Sequence, residues 1–130
     1  MRKAISSDKA PRPRGPYSPA MIADGPTVYV SSQGPIDPAT DQFLNGSFAD
    51  QAQQVFQNVG ALLEAAGTSW QHAVKVTIFL ADFANFAAVN EVYVKFVSAP
   101  YPARTTLQAT IGQSAISVDC IAVLPEEAVL

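Results

Sequence analysis

A guanidinium, a phenol and a carboxylate are the side chains of this 130-residue sequence whose settings point to chemistry. Arg104 follows Ala99-Pro100-Tyr101-Pro102-Ala103, where two prolines forbid helix and impose an extended approach. Thr105, Thr106 and Leu107 then read as a strand beginning at about Arg104, so the charge is fixed at a strand's first position. The rigid donor fork of an arginine matches a carboxylate or a phosphate, and its ordinary alternative is a surface ion pair. Tyr17 belongs to the stiff loop Ala10-Pro11-Arg12-Pro13-Arg14-Gly15-Pro16-Tyr17-Ser18-Pro19, where a phenol suits the wall of a pocket. Asp119 lies on a strand pattern, Ser117 to Val123. By strand alternation it shares a face with Arg104, and the pair reads in two ways. One is a plain salt bridge. The other is a cation that orients a substrate anion beside a base that handles water, as hydrolysis of a carboxylate-bearing substrate requires.

Little else in the chain offers chemistry. There is one histidine and one cysteine, so there is no internal disulfide and no recognisable zinc set. Any Ser-His-Asp or Cys-His arrangement would have to use His72, which stands just before a strand. Phosphate-loop and dinucleotide fingerprints do not occur; Gly60 and Gly67 fall within and after a helix. The formal net charge of −3 speaks against broad binding to a phosphate backbone. Five basic residues, Arg2, Lys3, Lys9, Arg12 and Arg14, cluster near the N-terminus and read as a solvent-facing lead-in, with a small anion patch as the alternative. At 48% hydrophobic and 15% charged, the chain is neither disordered nor fibrous, and its length suits one domain, residues 1–130. No apolar run approaches a membrane span and the first residues lack a signal-peptide core, so a cytoplasmic protein is expected.

The elements follow from period and punctuation. Short strands are expected at Lys3–Ser6, and at Ala20–Asp24 and Thr27–Ser31, the latter two paired as a hairpin through Asp24-Gly25-Pro26. A helix capped by Ser47 carries Ala52, Val55, Phe56, Val59, Leu62, Leu63 and Ala66 on one face and stops at Gly67. Val74–Leu80 reads as a strand, and a second helix is expected from Phe83 to Val97, capped by Asp82. This is an α+β order with two helices on one face of a mixed sheet of about six strands. Alternation sets Val28, Val30, Leu107, Val118, Cys120 and Ala122 toward the helices. Tyr29, Ser31, Thr77, Phe79, Arg104, Thr106, Asp119 and Ile121 fall on the other face. That second set is too apolar for a washed surface, and no element remains to cover it, so another subunit is expected there.

Several segments resemble the Rid (YjgF) family of reactive-intermediate deaminases, whose members also carry the description L-PSP endoribonuclease. They are Gly15-Pro16-Tyr17-Ser18, Val30 through Pro38, Gln57-Asn58-Val59, Phe86 through Tyr93, Tyr101-Pro102-Ala103-Arg104-Thr105 and Ile121-Ala122-Val123, covering about residues 4 to 124. The resemblance implies a chorismate-mutase-like α+β fold and a homotrimer with a central barrel and clefts between subunits. It also implies hydrolysis of 2-imino acids and enamine tautomers, such as 2-aminoacrylate, to 2-keto acids and ammonia without a cofactor or metal. Arg104 matches the arginine that binds the substrate carboxylate. Tyr17 matches the tyrosine that closes the cleft, and Ser31 and Asn90 match polar residues that shape the site. Thr106 stands where many members have cysteine and Ser32 where glycine is common, both lining the substrate. Asp119 stands where deaminases carry a glutamate that holds the attacking water. A non-catalytic carboxylate-binding trimer is the alternative function, and RNA cleavage ranks below both because the chain is acidic and lacks a basic-aromatic platform.

Overall fold

The computed structural model describes residues 1–126. Its elements are β1 (Arg2–Ile5), β2 (Ala20–Ala23), β3 (Thr27–Gln33), β4 (Ile36–Asp37), β5 (Gln42–Phe43), α1 (Phe48–Ala65), β6 (Ala73–Leu80), α2 (Phe86–Tyr93), β7 (Ala103–Gln108) and β8 (Ile116–Val123). Four strands form the main sheet in the order β3-β8-β6-β7, with β6 antiparallel to β8 and parallel to β7. Two two-stranded pairs, β1-β2 and β4-β5, stand apart from it. The expected six-strand sheet is thus a four-strand sheet with satellites. The expected β2–β3 hairpin does not form either. β2 takes β1 as its partner and β3 takes β8, because Pro26 offers no N–H for a tight hairpin and its carbonyl instead accepts from Leu124.

α1 forms where its pattern predicts. Ser47 Oγ accepts the Asp50 N–H at 3.1 Å, and Gly67 follows the helix at φ 92°, a conformation that favours glycine. Ala52, Val55, Phe56, Val59 and Leu63 are buried, whereas Leu62 stays outside the stripe at 44% exposed. The second helix is shorter than expected. Asp82 caps a 3-10 turn over Phe83–Asn85, α2 runs only from Phe86 to Tyr93, and its end tightens into bonds of 3-10 type. A segment so rich in valine and phenylalanine has weak helix propensity, and packing against α1 holds what remains.

Both helices cover one face of the sheet. Val30, Val76, Ile78, Leu80, Ile116, Val118, Cys120 and Ala122 are buried there with Phe56, Leu63 and Tyr93. The rings of Phe56, Trp70 and Tyr93 lie 5.5 to 6.2 Å apart between centroids, and Trp70 Nε1 donates to Phe56 O. On the opposite face Tyr29 is 74% exposed.

The register of β7 revises the expected faces. Arg104 pairs with Val76 and Thr106 with Ile78, so both point to the helix side, while Leu107 pairs with Phe79 on the open side. A strand shifted by one residue exchanges all its faces, and here the parallel partner sets the phase. Asp119 pairs with Thr77 and stays on the open face. Within one chain, Arg104 and Asp119 therefore lie on opposite faces of the sheet, two strands apart, and no Arg104–Asp119 salt bridge forms.

Candidate functional site

Arg104 arrives at its position from two directions. The proline-imposed extended segment delivers it to the start of β7, an edge strand. The proline-rich loop is stitched to the same place: Ser18 N donates to Pro102 O at 3.1 Å, Ser18 Oγ donates to Tyr101 O, and Ser18 bridges Ala103 in parallel. Tyr17 thereby comes to rest on Arg104. Its hydroxyl accepts the Arg14 N–H at 3.0 Å, which bends the loop back over the ring.

The guanidinium carbon lies 6.0 Å from the Tyr17 ring centroid, 5.4 Å from Phe86 and 5.2 Å from Tyr93. Three aromatic faces hold a cation well but satisfy none of its N–H groups. Only Nε is bonded, to Thr106 Oγ1 at 2.8 Å. Both Nη atoms are buried without a partner. Among the described residues the ion pairs are those of the Met1 amino group with Asp24 and Glu126, so no carboxylate neutralises Arg104. Burial lowers its pKa, and the Tyr93 and Tyr17 hydroxyls oppose that shift. An unpaired buried cation is costly, and the arrangement is explained if a bound anion completes it.

Four buried side-chain polar atoms lack a partner among the described residues: Arg104 Nη1 and Nη2, Tyr93 OH and Asn90 Oδ1. All belong to this one group. Asn90 lies beside the loop, where a Cβ on Gly15 would stand 3.6 Å from its Nδ2 and 3.6 Å from the Tyr17 ring. Burial also raises the Tyr93 pKa, with the Arg104 charge pulling the other way, which keeps that hydroxyl protonated.

Of the residues singled out in the sequence, Arg104, Tyr17, Asn90 and Thr106 come together. Ser31, Ser32 and Asp119 form a second group on the open face. Between the pairs Val30–Cys120 and Gln33–Val118, β3 has two residues and β8 one, so Ser31 and Ser32 bulge opposite Asp119. Ser32 Oγ bonds Ser117 Oγ in the same patch. His72 closes the 3-10 turn Trp70–His72 and lines a shallow depression with Met1, Arg2 and Val123, a place that includes none of these residues. Cys120 is buried, and burial, reinforced by Asp119, pushes its thiol up to about 12, which leaves it unreactive at neutral pH. The sequence reading placed Phe86 and Tyr93 within the second helix and gave neither a role of its own. The available signal was Asn90, a polar residue set between them at helical spacing.

Comparison with known proteins identifies the family. A family model described as Endoribonuclease L-PSP matches residues 7–124. The chain is 44% identical over 125 residues to Protein DfrA of Myxococcus xanthus, covering 94% of this chain and 95% of that one. It is 43% identical over 108 residues to the 2-iminobutanoate/2-iminopropanoate deaminase of Bos taurus, covering 83% and 78%. The crystal structure of E. coli TdcF with bound serine superimposes with a TM-score of 0.71 at 32% identity, over 95% of this chain and 99% of that one. The chain belongs to the Endoribonuclease L-PSP family, the same Rid (YjgF) family that its motifs resemble.

Proposed function

We propose that this chain hydrolyses small 2-imino acids and their enamine tautomers to 2-keto acids and ammonia, in clefts between copies of itself assembled as a trimer. One observation carries the reading: a guanidinium buried with both Nη atoms unpartnered, a ready seat for a carboxylate. The name of the bovine relative supports the reaction, and the serine held by TdcF is itself a small α-carboxylate. A net charge of −3 favours a small acid over RNA.

In this mechanism Arg104 takes the substrate carboxylate through Nη1 and Nη2 and fixes C2 within the aromatic cage. The overall change is R–C(=NH2⁺)–COO⁻ + H2O → R–CO–COO⁻ + NH4⁺. Water attacks C2, a carbinolamine forms, a proton moves to nitrogen with Tyr17, or Ser31 of a neighbouring copy, assisting, and ammonia leaves as the C–N bond breaks. Asp119 directs that water. Because Arg104 and Asp119 of one chain occupy opposite faces, the Asp119 that serves a given Arg104 comes from a neighbouring copy. The open face that carries Tyr29, Thr77, Phe79 and Ile121 is the surface for that contact. Substrate enters when the loop lifts: among the described residues, the hydrogen bonds of residues 11–17 all stay within the loop.

The test generates an imine in situ with an amino acid oxidase and measures keto acid release. Arg104→Ala is expected to slow turnover on the order of a hundred- to a thousandfold, the scale of losing a preorganised charge contact. An unchanged rate rejects the assignment. Calorimetric binding of a keto acid by the wild type without any acceleration of imine hydrolysis would favour the carboxylate-binding alternative instead.

A further inference from the structure

Phe86, Asn90 and Tyr93 fall at i, i+4 and i+7 on α2 and form one stripe. The guanidinium carbon of Arg104 lies over both rings that flank Asn90, so the amide shares the side of the helix that Arg104 covers. Its Nδ2 packs toward Gly15, and its Oδ1 is left buried and unpartnered. The other orphan atoms of the group, Arg104 Nη1 and Nη2 and Tyr93 OH, can all donate. Oδ1 alone can only accept. A carboxylate satisfies the donors but does nothing for this oxygen, and an anion placed against it would be repelled. Completing the group takes a ligand that carries a hydrogen-bond donor close to its carboxylate, and in a 2-imino or enamino acid that donor is the N–H.

We propose that Asn90 Oδ1 accepts the N–H of the substrate nitrogen and so makes the site select 2-imino and enamino acids over the 2-keto acids it releases. This rests on the reading that Arg104 holds the carboxylate. Hydrolysis replaces the C=NH2⁺ group by C=O, so the donor disappears at the moment the product forms. Asn90 Oδ1 then faces a carbonyl oxygen, and its burial without a partner is a cost the keto acid must bear. A site built to bond an N–H rejects the analogue that lacks it far more strongly than one that merely fits its shape. Product release follows from the same contact that recognises substrate.

The experiment uses two planar isosteres, pyrrole-2-carboxylate, with a ring N–H beside the carboxylate, and furan-2-carboxylate, with an oxygen there. Dissociation constants are measured by calorimetry for the wild-type protein and for Asn90→Leu, Asn90→Asp and Arg104→Ala. Wild type is expected to prefer the pyrrole roughly tenfold or more. Asn90→Leu brings that ratio to about one while furan-2-carboxylate still binds. Asn90→Asp keeps an acceptor, so the preference persists although the added charge weakens both ligands. Thermal melts check that the variants fold; if the leucine variant does not, the aspartate variant carries the test, because a charged acceptor bonds the pyrrole N–H more strongly and repels the furan oxygen, so a preference no wider than that of wild type overturns the inference. Equal binding of the pair by wild type, or a parallel loss of both ligands in Asn90→Leu, overturns the inference while leaving the carboxylate seat intact. If Arg104→Ala binds both ligands as well as wild type, or if wild type binds neither, the seat itself is refuted and the inference falls with it.

Discussion

Two arginines give up water in this chain, and they are treated in opposite ways. Arg2 donates from Nε to Ala73 O at 2.9 Å and from Nη2 to Pro100 O at 2.6 Å, tying β1 to the start of β6 and to the segment that leads into β7. Arg104, on β7, donates only to Thr106 and keeps both Nη groups bare. Burial lowers the pKa of each, and the hydroxyl of the same Tyr93 opposes that shift in both. Arg2 is therefore a finished structural contact and Arg104 an unfinished one. The difference teaches how to tell a brace from a binding group: both are partly buried cations, but only one has buried donors left over.

The largest effect expected from this contrast concerns what finishes Arg104. If its site is completed by Asp119 of another copy, then Arg104→Ala and Asp119→Asn chains, each strongly slowed alone, regain imine hydrolysis when unfolded together and reassembled. Random mixing in a closed ring gives roughly a quarter of the sites an intact pair. Activity that stays at the level of the single variants would mean that both residues must come from one chain, against the faces they occupy.

Next in size is a difference of sign in stability. Arg2→Met strips two carbonyls of a charged donor and is expected to cost about 1–3 kcal/mol, a melting point several degrees lower. Arg104→Met removes a buried charge that no protein group compensates, so it is expected to leave the melting point unchanged or raise it. Thermal unfolding of the two variants under identical conditions decides the matter. A parallel fall would show that Arg104 is a brace as well.

The contrast between the two arginines also marks where sequence reasoning reached its limit. Arg104 and Tyr17 were legible because proline and glycine act locally and fix a chain path without help from distant residues. The apolar stripe of α1 was legible for the same reason, its period being written within 18 residues. The face of Arg104 was not. It depends on the pairing of Val76 with Arg104, a register between segments that are separated by a helix, and a single-residue slip reverses it. Nor was Arg2 legible as a brace, since its carbonyl partners lie 71 and 98 residues away. Asn90 fell between: its type and spacing were visible, but an unpaired oxygen is recognised only once the neighbours that fail to pair with it are in place.

The smallest expected effect sharpens how Arg104 is presented rather than whether it acts. A carboxylate can approach a guanidinium across the two Nη atoms or along the edge formed by Nε and one Nη. Thr106 Oγ1 occupies Nε at 2.8 Å, which leaves the Nη edge as the only bidentate face. Thr106→Val keeps the shape of the side chain but removes the acceptor, so the guanidinium gains a second competing edge and a freer orientation. Affinity for a small keto acid is expected to fall about fivefold to tenfold, within the range of one hydrogen bond to a charged group. Thr106→Ser, which restores the oxygen, is expected to recover it. The Nε–H resonance of Arg104 offers a reading independent of affinity: slow to exchange with solvent in wild type and in the serine variant, fast in the valine variant. Slow exchange in all three would show that the aromatic rings alone hold the guanidinium, and that Thr106 merely lies beside it.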